Sequence, residues 1–273
     1  MYRTETPIIM LPGLGMDARM LQPQSSYFPN SYVMKIPKES TSSTEIPSGT
    51  TAVSLAAFAD GLLSNWPKQL PSWNRSEANS RSRNVFLVGV AFGGMLALEI
   101  ALQATLRQPE ANSHRIAGVL LIGSTRSHTN IPVSFRLQEK LIARIPVALG
   151  RAAMKRSLSK IASEEGMTAE QKQLLMEMSS DADWNQVRWG ANQIAKWDRT
   201  RASFDNLAIP VHQIHGRQDR AIKPPSISDA TILLHGRHMI NLSMATEVNR
   251  WIEAILRDHD LKILNTPTAQ NKS

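Results

Sequence analysis

Val85-Phe86-Leu87-Val88-Gly89-Val90-Ala91-Phe92-Gly93-Gly94-Met95-Leu96-Ala97-Leu98-Glu99-Ile100-Ala101 is the stretch from which the fold is read. Val85 to Val88 is a short apolar run without alternation, the pattern of a strand buried on both faces. Ala91 to Leu106 has helical periodicity. Only a few residues separate the two. A strand that becomes a helix so abruptly needs small residues inside the bend, and Gly89 and Gly93 supply them. The side chain at the crest, Ala91, is pushed out above the sheet, over the positive end of the helix.

The same rhythm recurs on either side. Ile8 to Leu11, Val33 to Ile36, Val119 to Ile122, Val211 to Ile214 and Thr231 to Leu234 predict further strands. Val53 to Trp66 and Ala245 to Leu256 predict helices. Strand and helix in alternation predict an α/β fold with a doubly wound, mostly parallel sheet. Three segments interrupt it. Pro71 to Asn84, rich in Ser, Asn and Arg, reads as an exposed loop. Thr125 to Asn206 is too long for one crossover and reads as an inserted helical cap. It includes the amphipathic run Phe135 to Ile161, broken at Pro146. The α/β core is then 1–124 and 207–261, the cap 125–206, and the polar end 262–273 a frayed tail.

Composition narrows the function. The chain has 273 residues, 42% of them hydrophobic, which suits one α/β domain with an insertion. The absence of cysteine excludes disulfides, a thiol nucleophile and thiolate metal ligands. No apolar run reaches the roughly 18 residues of a membrane span, and the N-terminus does not read as a secretory signal. A cytoplasmic location is the resulting expectation. Net charge is +8, and Arg126 to Lys160 holds eight Lys or Arg against one acid, Glu139. That stretch reads as a solvated helix face, or as a surface for an anionic ligand or a membrane. No nucleic-acid motif accompanies it, so no nucleic-acid partner is expected.

Four features fall at strand ends, where α/β sheets place their sites. Leu11-Pro12-Gly13-Leu14-Gly15 follows the first strand, and its turn aims a backbone N–H, that of Leu14, into the site. The bend at Ala91 does the same with the N–H of Phe92. Two such donors stabilise the negative charge of a tetrahedral intermediate, and one donor is worth about 3 kcal/mol in other enzymes. Ile214-His215-Gly216-Arg217-Gln218-Asp219 places a carboxylate, Asp219, where it can orient an imidazole. His235-Gly236-Arg237-His238-Met239-Ile240 supplies that imidazole, His238, just before the last helix.

Together these residues resemble the α/β-hydrolase fold over nearly the whole chain. The resemblance rests on Gly-Val-Ala-Phe-Gly-Gly at the bend, Ile-His-Gly-Arg-Gln-Asp, and Gly-Arg-His-Met-Ile, in the family's order. It implies Asp219 as the acid, His238 as the base, and Leu14 and Phe92 as oxyanion donors. It implies hydrolysis of small carboxylic esters, thioesters or lactones, without cofactor or metal. The family's nucleophilic serine maps onto Ala91, and Pro12 stands where many members have histidine.

Other readings stand beside these. Gly13-Leu14-Gly15-Met16-Asp17-Ala18 also fits a dinucleotide fingerprint, but the acid required near the next strand end is absent. His212, His215 and His235 read as strand and turn residues rather than ligands, and His212 and His215 do not share a strand face. Ser124 is a candidate substitute nucleophile; as the bland alternative it caps a turn. Trp184, Trp189 and Trp197 read as packing in the cap rather than a substrate wall. For Ala91 three readings remain: an inactivating substitution in a serine enzyme, a natural alanine in a non-catalytic binder, or a His–Asp dyad that works without a nucleophile.

Overall fold

The computed structural model describes residues 4, 6–36, 53–69, 84–107, 115–136, 145–205 and 207–265. Six strands form one sheet: β1 (Ile8–Leu11), β2 (Ser31–Val33), β3 (Asn84–Val90), β4 (Arg115–Ile122), β5 (Val211–Gly216) and β6 (Thr231–Leu233). Every pairing is parallel, in the order β2-β1-β3-β4-β5-β6. The chain therefore moves outward from β1 in one direction and from β3 in the other. The crevice between the ends of β1 and β3 is the topological switch point, where sheets of this kind hold their ligands.

Period-two alternation divides the strand residues between two cores. Ile9, Leu11, Val85, Leu87, Val119 and Leu121 face one side, against α2 (Leu55–Gln69) and α3 (Phe92–Leu106). Ile8, Met10, Phe86, Val88, Leu120 and Ile122 face the other, with Val248, Ile252 and Leu256 of α9 (Ala245–Asn265). The doubly wound reading is therefore correct. The second strand lies earlier than Val33 to Ile36, at Ser31–Val33, because only that stretch reaches β1 in register. The last helix continues to Asn265, past the expected boundary at Leu261. Residues 71–83 and 266–273 lie outside the described residues.

Between β4 and β5 come α4 (Val147–Glu164), α5 (Ala169–Asp181), α6 (Trp184–Lys196) and the short α7 (Ala202–Asp205). Pro146 precedes α4 as its N-cap, in the role that the sequence gives it as a break. Thr168 and Gln171 form a reciprocal capping box on α5, and Asp183 caps α6. These helices join both cores: Leu158, Ala162, Leu175 and Met178 on one side of the sheet, Trp189, Trp197 and Phe204 on the other. Of the basic residues, Arg126, Arg136 and Arg151 donate to the backbone carbonyls of Asp229, His128 and Ala182. Lys155, Arg156 and Lys160 are exposed on α4, and Lys140 and Arg144 lie outside the described residues. No helix among the described residues is long and apolar enough to cross a membrane.

Candidate active site

β3 ends at Val90, and α3 begins at Phe92, so Ala91 alone makes the turn. Its φ of 49° and ψ of −116° make it the one non-glycine residue among the described residues with positive φ. Such a backbone costs on the order of 1–3 kcal/mol and persists only where its surroundings hold it. Three hydrogen bonds do so. The Ala91 N–H donates to the Ile122 carbonyl at 3.0 Å, and its own carbonyl accepts from the Gly94 N–H at 3.0 Å and the Ser124 hydroxyl at 2.6 Å. The bend lies against the turn after β1 so closely that a Cβ on Gly93 would come 2.3 Å from the Leu11 carbonyl oxygen. Only glycine fits there.

That closeness brings two amides to the switch point. The N–H groups of Leu14 and Phe92 meet no acceptor among the described residues. Phe92 opens α3, so its N–H is one of the first-turn donors that a helix cannot satisfy internally. The Leu14 side chain is wedged against Gly190 of α6, where a Cβ would lie 2.2 Å from Leu Cδ1. Met154 of α4 and Val187 of α6 close in on Gly15 in the same way. α4 and α6 thus lie directly on the turn that carries the first donor, and Trp189 meets Phe92 edge-on at 6.0 Å.

Asp219 and His238 do pair. His238 Nδ1 lies 2.9 Å from Asp219 Oδ2, with the carboxylate fully buried and the imidazole 20% exposed. The other carboxylate oxygen accepts from the N–H groups of Ala221 and Ile222 at 2.8 and 3.0 Å. Burial opposes the negative charge, but His238 and His215, by charge and hydrogen bond, hold the Asp219 carboxyl well below the usual range. Burial likewise opposes a charged His238. The Asp219 carboxylate outweighs it, aided by the charge of Glu165, so the imidazole is raised above its ordinary value. His238 also lies against Gly123, where a Cβ would come 2.7 Å from the His238 carbonyl oxygen. Ile122 and Ser124, on either side of Gly123, are the residues that hold the Ala91 backbone. His238 and the bend at Ala91, the elbow between β3 and α3, therefore both lie against the turn that ends β4.

Two residues behave differently from the sequence reading. Ser124 is fully buried and its hydroxyl is donated to the Ala91 carbonyl, so it braces the elbow and presents no free nucleophile. His215 is more than a strand residue: its Nε2 lies 3.0 Å from Asp219 Oδ2 and 3.1 Å from the Ile222 carbonyl. One carboxylate oxygen thus serves two imidazoles. The i, i+4 spacing from His215 to Asp219 across a tight turn is the signal that could have disclosed it. Among the described residues no group of three or more His, Cys, Asp or Glu is arranged to hold a metal. The turn after β1 leads into a short 3-10 helix, Ala18–Leu21, and the six-residue helix α1 (Gln22–Tyr27), a poor cradle for a pyrophosphate.

No protein-family model matches the sequence, and comparison with curated proteins finds no match. Solved structures do resemble it. A thermophilic esterase from Thermogutta terrifontis superposes with a TM-score of 0.70 at 16% identity, over 93% of this chain and 90% of that one. An enol-lactonase from Burkholderia xenovorans gives 0.64 at 16%, covering 92% of each chain. A bromoperoxidase from Bacillus anthracis gives 0.63 at 15%, covering 94% and 93%. At such identities the likeness concerns architecture, and the architecture is that of the α/β-hydrolase fold.

Proposed function

We propose that this chain holds a small carboxylic ester, thioester or lactone in the elbow site and turns it over very slowly, because Ala91 stands where acyl transfer needs a hydroxyl. One observation carries the reading: the His238–Asp219 pair is intact at 2.9 Å beside an elbow whose strained crest bears only a methyl group. A methyl group forms no acyl–enzyme bond. What remains is a base and two free amides, those of Leu14 and Phe92, suited to a carbonyl oxygen that gathers charge. Loss of the serine from such a triad costs about a million-fold in turnover elsewhere, leaving roughly a thousand-fold over water. The esterase and the enol-lactonase that share the architecture support an ester or a lactone as ligand.

The test is to restore the missing oxygen. In Ala91→Ser, His238 takes the proton from the new hydroxyl, which attacks the ester carbonyl. The oxyanion settles on the two amides and collapses as the imidazolium gives its proton to the departing alcohol or phenol. Water, deprotonated by the same imidazole, then attacks the acyl–enzyme and releases the acid and the free hydroxyl. Ala91→Ser is expected to hydrolyse short p-nitrophenyl esters and to be labelled by a fluorophosphonate, with both gains lost on adding His238→Ala. A correctly folded Ala91→Ser chain without either gain overturns the reading.

A second reading has an observation of its own. The raised basicity of His238 suits a dyad that takes a proton from water or from an acidic C–H without any nucleophile. Turnover by the unaltered chain that disappears in His238→Ala excludes simple binding. Such turnover of a ligand with an acidic C–H and no ester, thioester or lactone bond favours the dyad over slow hydrolysis.

A further inference from the structure

We propose that Glu165, at the end of α4, is a positioning residue for His238, holding the segment that begins at the histidine in place. The proposal deepens the reading of the elbow site and rests on His238 being its base.

Glu165 is the C-cap of α4. Its side chain turns away from its own helix to the loop that carries the imidazole. Oε1 accepts from the Met239 N–H at 2.7 Å, the peptide directly after His238. Oε2 accepts from the Ser243 hydroxyl at 2.8 Å, at the end of the one-turn helix α8 (Ile240–Ser243). Both carboxylate oxygens are therefore committed to the segment that begins at His238. Gln171, from the start of α5, adds a third tie by donating to the Leu242 carbonyl at 2.9 Å. The α4–α5 corner of the cap thus grips the histidine loop by its backbone on one side and by a hydroxyl on the other. Charge-assisted bonds of this length are the stronger class.

The consequence is electrostatic as well as mechanical. The carboxylates that act on His238 are Asp219, from the loop after β5, and Glu165, from the cap; His215 reaches it only through Asp219, and Arg237 precedes it in the chain. Asp219 reaches His238 from the sheet, and Glu165 reaches its loop from α4. Loss of the Glu165 carboxylate therefore frees the Met239 peptide and removes one of the two negative charges that favour the imidazolium.

The test does not need an ester. Histidine ring resonances of the unaltered chain, Glu165→Gln and Ser243→Ala are followed by NMR against pH, with His238 assigned by its disappearance in His238→Gln. Glu165→Gln keeps the size and removes the charge. It is expected to lower the proton affinity of His238 by about threefold, roughly half a pH unit. Ser243→Ala keeps the charge and is expected to leave the midpoint within a fraction of that. An unmoved midpoint in folded Glu165→Gln overturns the proposal. So does an equal fall in Ser243→Ala, since the effect would then come from loosened structure. In an Ala91→Ser background, Glu165→Gln should also move the acid limb of the pH–rate profile to lower pH. An Ala91→Ser chain without esterase activity, together with a shifted midpoint in Glu165→Gln, sinks the hydrolase reading and leaves Glu165 in place. Restored esterase activity with an unmoved midpoint does the reverse.

Discussion

Ala91 brings the smallest side chain of any L-residue to a backbone that L-residues avoid. The strain, on the order of 1–3 kcal/mol, is held by hydrogen bonds from Gly94 and Ser124 and to Ile122. A serine adds one oxygen above the sheet, so Ala91→Ser should keep the urea midpoint nearly unchanged. Ala91→Val puts a β-branched side chain at positive φ and should cost about 2–3 kcal/mol in the same titration. The His238–Asp219 pair makes a second prediction, read against pH. Asp219 is depressed, so its stabilisation is complete above the unfolded carboxyl value of about 3.9 and fades as pH falls through the native value. His238 is raised, so its stabilisation is complete below the unfolded value of about 6.5 and fades as pH rises through the native value. The pair contributes most between those two unfolded values. His238→Gln should flatten the dependence of the urea midpoint on pH above about 6.5, and an unchanged slope would contradict the assignment. Ala91, Asp219 and His238 are legible in the sequence because each follows a strand and precedes a turn or helix in a fixed order. His215 and Glu165 are not. His215 meets Asp219 only because the chain doubles back after Gly216, and Glu165 lies 74 residues from the Met239 peptide it holds.

At the scale of elements, the helix behind the elbow is tied to the far end of the cap. Glu99 of α3 is buried at 1% exposure and accepts from Arg199 Nε at 2.8 Å, Arg199 Nη2 at 3.1 Å and Trp197 Nε1 at 2.9 Å. Removing Arg199 leaves a buried carboxylate with one neutral donor. Arg199→Ala should therefore cost about 3 kcal/mol, at the low end for a broken buried pair because the arginine is one-third exposed. Trp197→Phe keeps the ion pair and loses one hydrogen bond, so it should cost less than Arg199→Ala; urea titration of the two variants checks the order. The helix itself is plain in the sequence, since Phe92 to Ala101 is apolar but for Glu99 and is buried throughout. The lone acid in that run is the one sign of a partner, and the sequence gives no hint of which cation answers it. Strand ends were equally uneven. β3 and the buried second half of β4 read clearly, but β4 begins at Arg115, four residues before the expected Val119, because its first three residues are not fully buried; β2 is a half-buried three-residue edge whose position depends on pairing with β1.

Across the whole molecule, the cap is an insertion by sequence but part of the core by packing. Trp189 of α6 is 2% exposed, lies edge-on to Phe58 at 4.8 Å and to Phe92 at 6.0 Å, and donates its indole N–H to the Val53 carbonyl at 3.0 Å. On the other face of the sheet, Leu158, Ala162 and Leu175 of the cap share a cluster with Val248 and Ile252 of α9. A cap built in this way cannot melt while the sheet survives, because its loss would bare apolar surface on both sides of the sheet. Domains that share a core unfold as one cooperative unit. The urea transition followed by far-UV dichroism, which reports all the helices, should coincide with that followed by tryptophan fluorescence, to which Trp184, Trp189 and Trp197 contribute from the cap side. Trp189→Ala should move both by the same amount, at a cost of about 3–5 kcal/mol. Two separated transitions, with fluorescence changing first, would mean that the cap opens on its own. In that case the grip of Glu165 on the histidine loop would be the contact to break first, and its rupture should be visible as an early change in the His238 ring resonance.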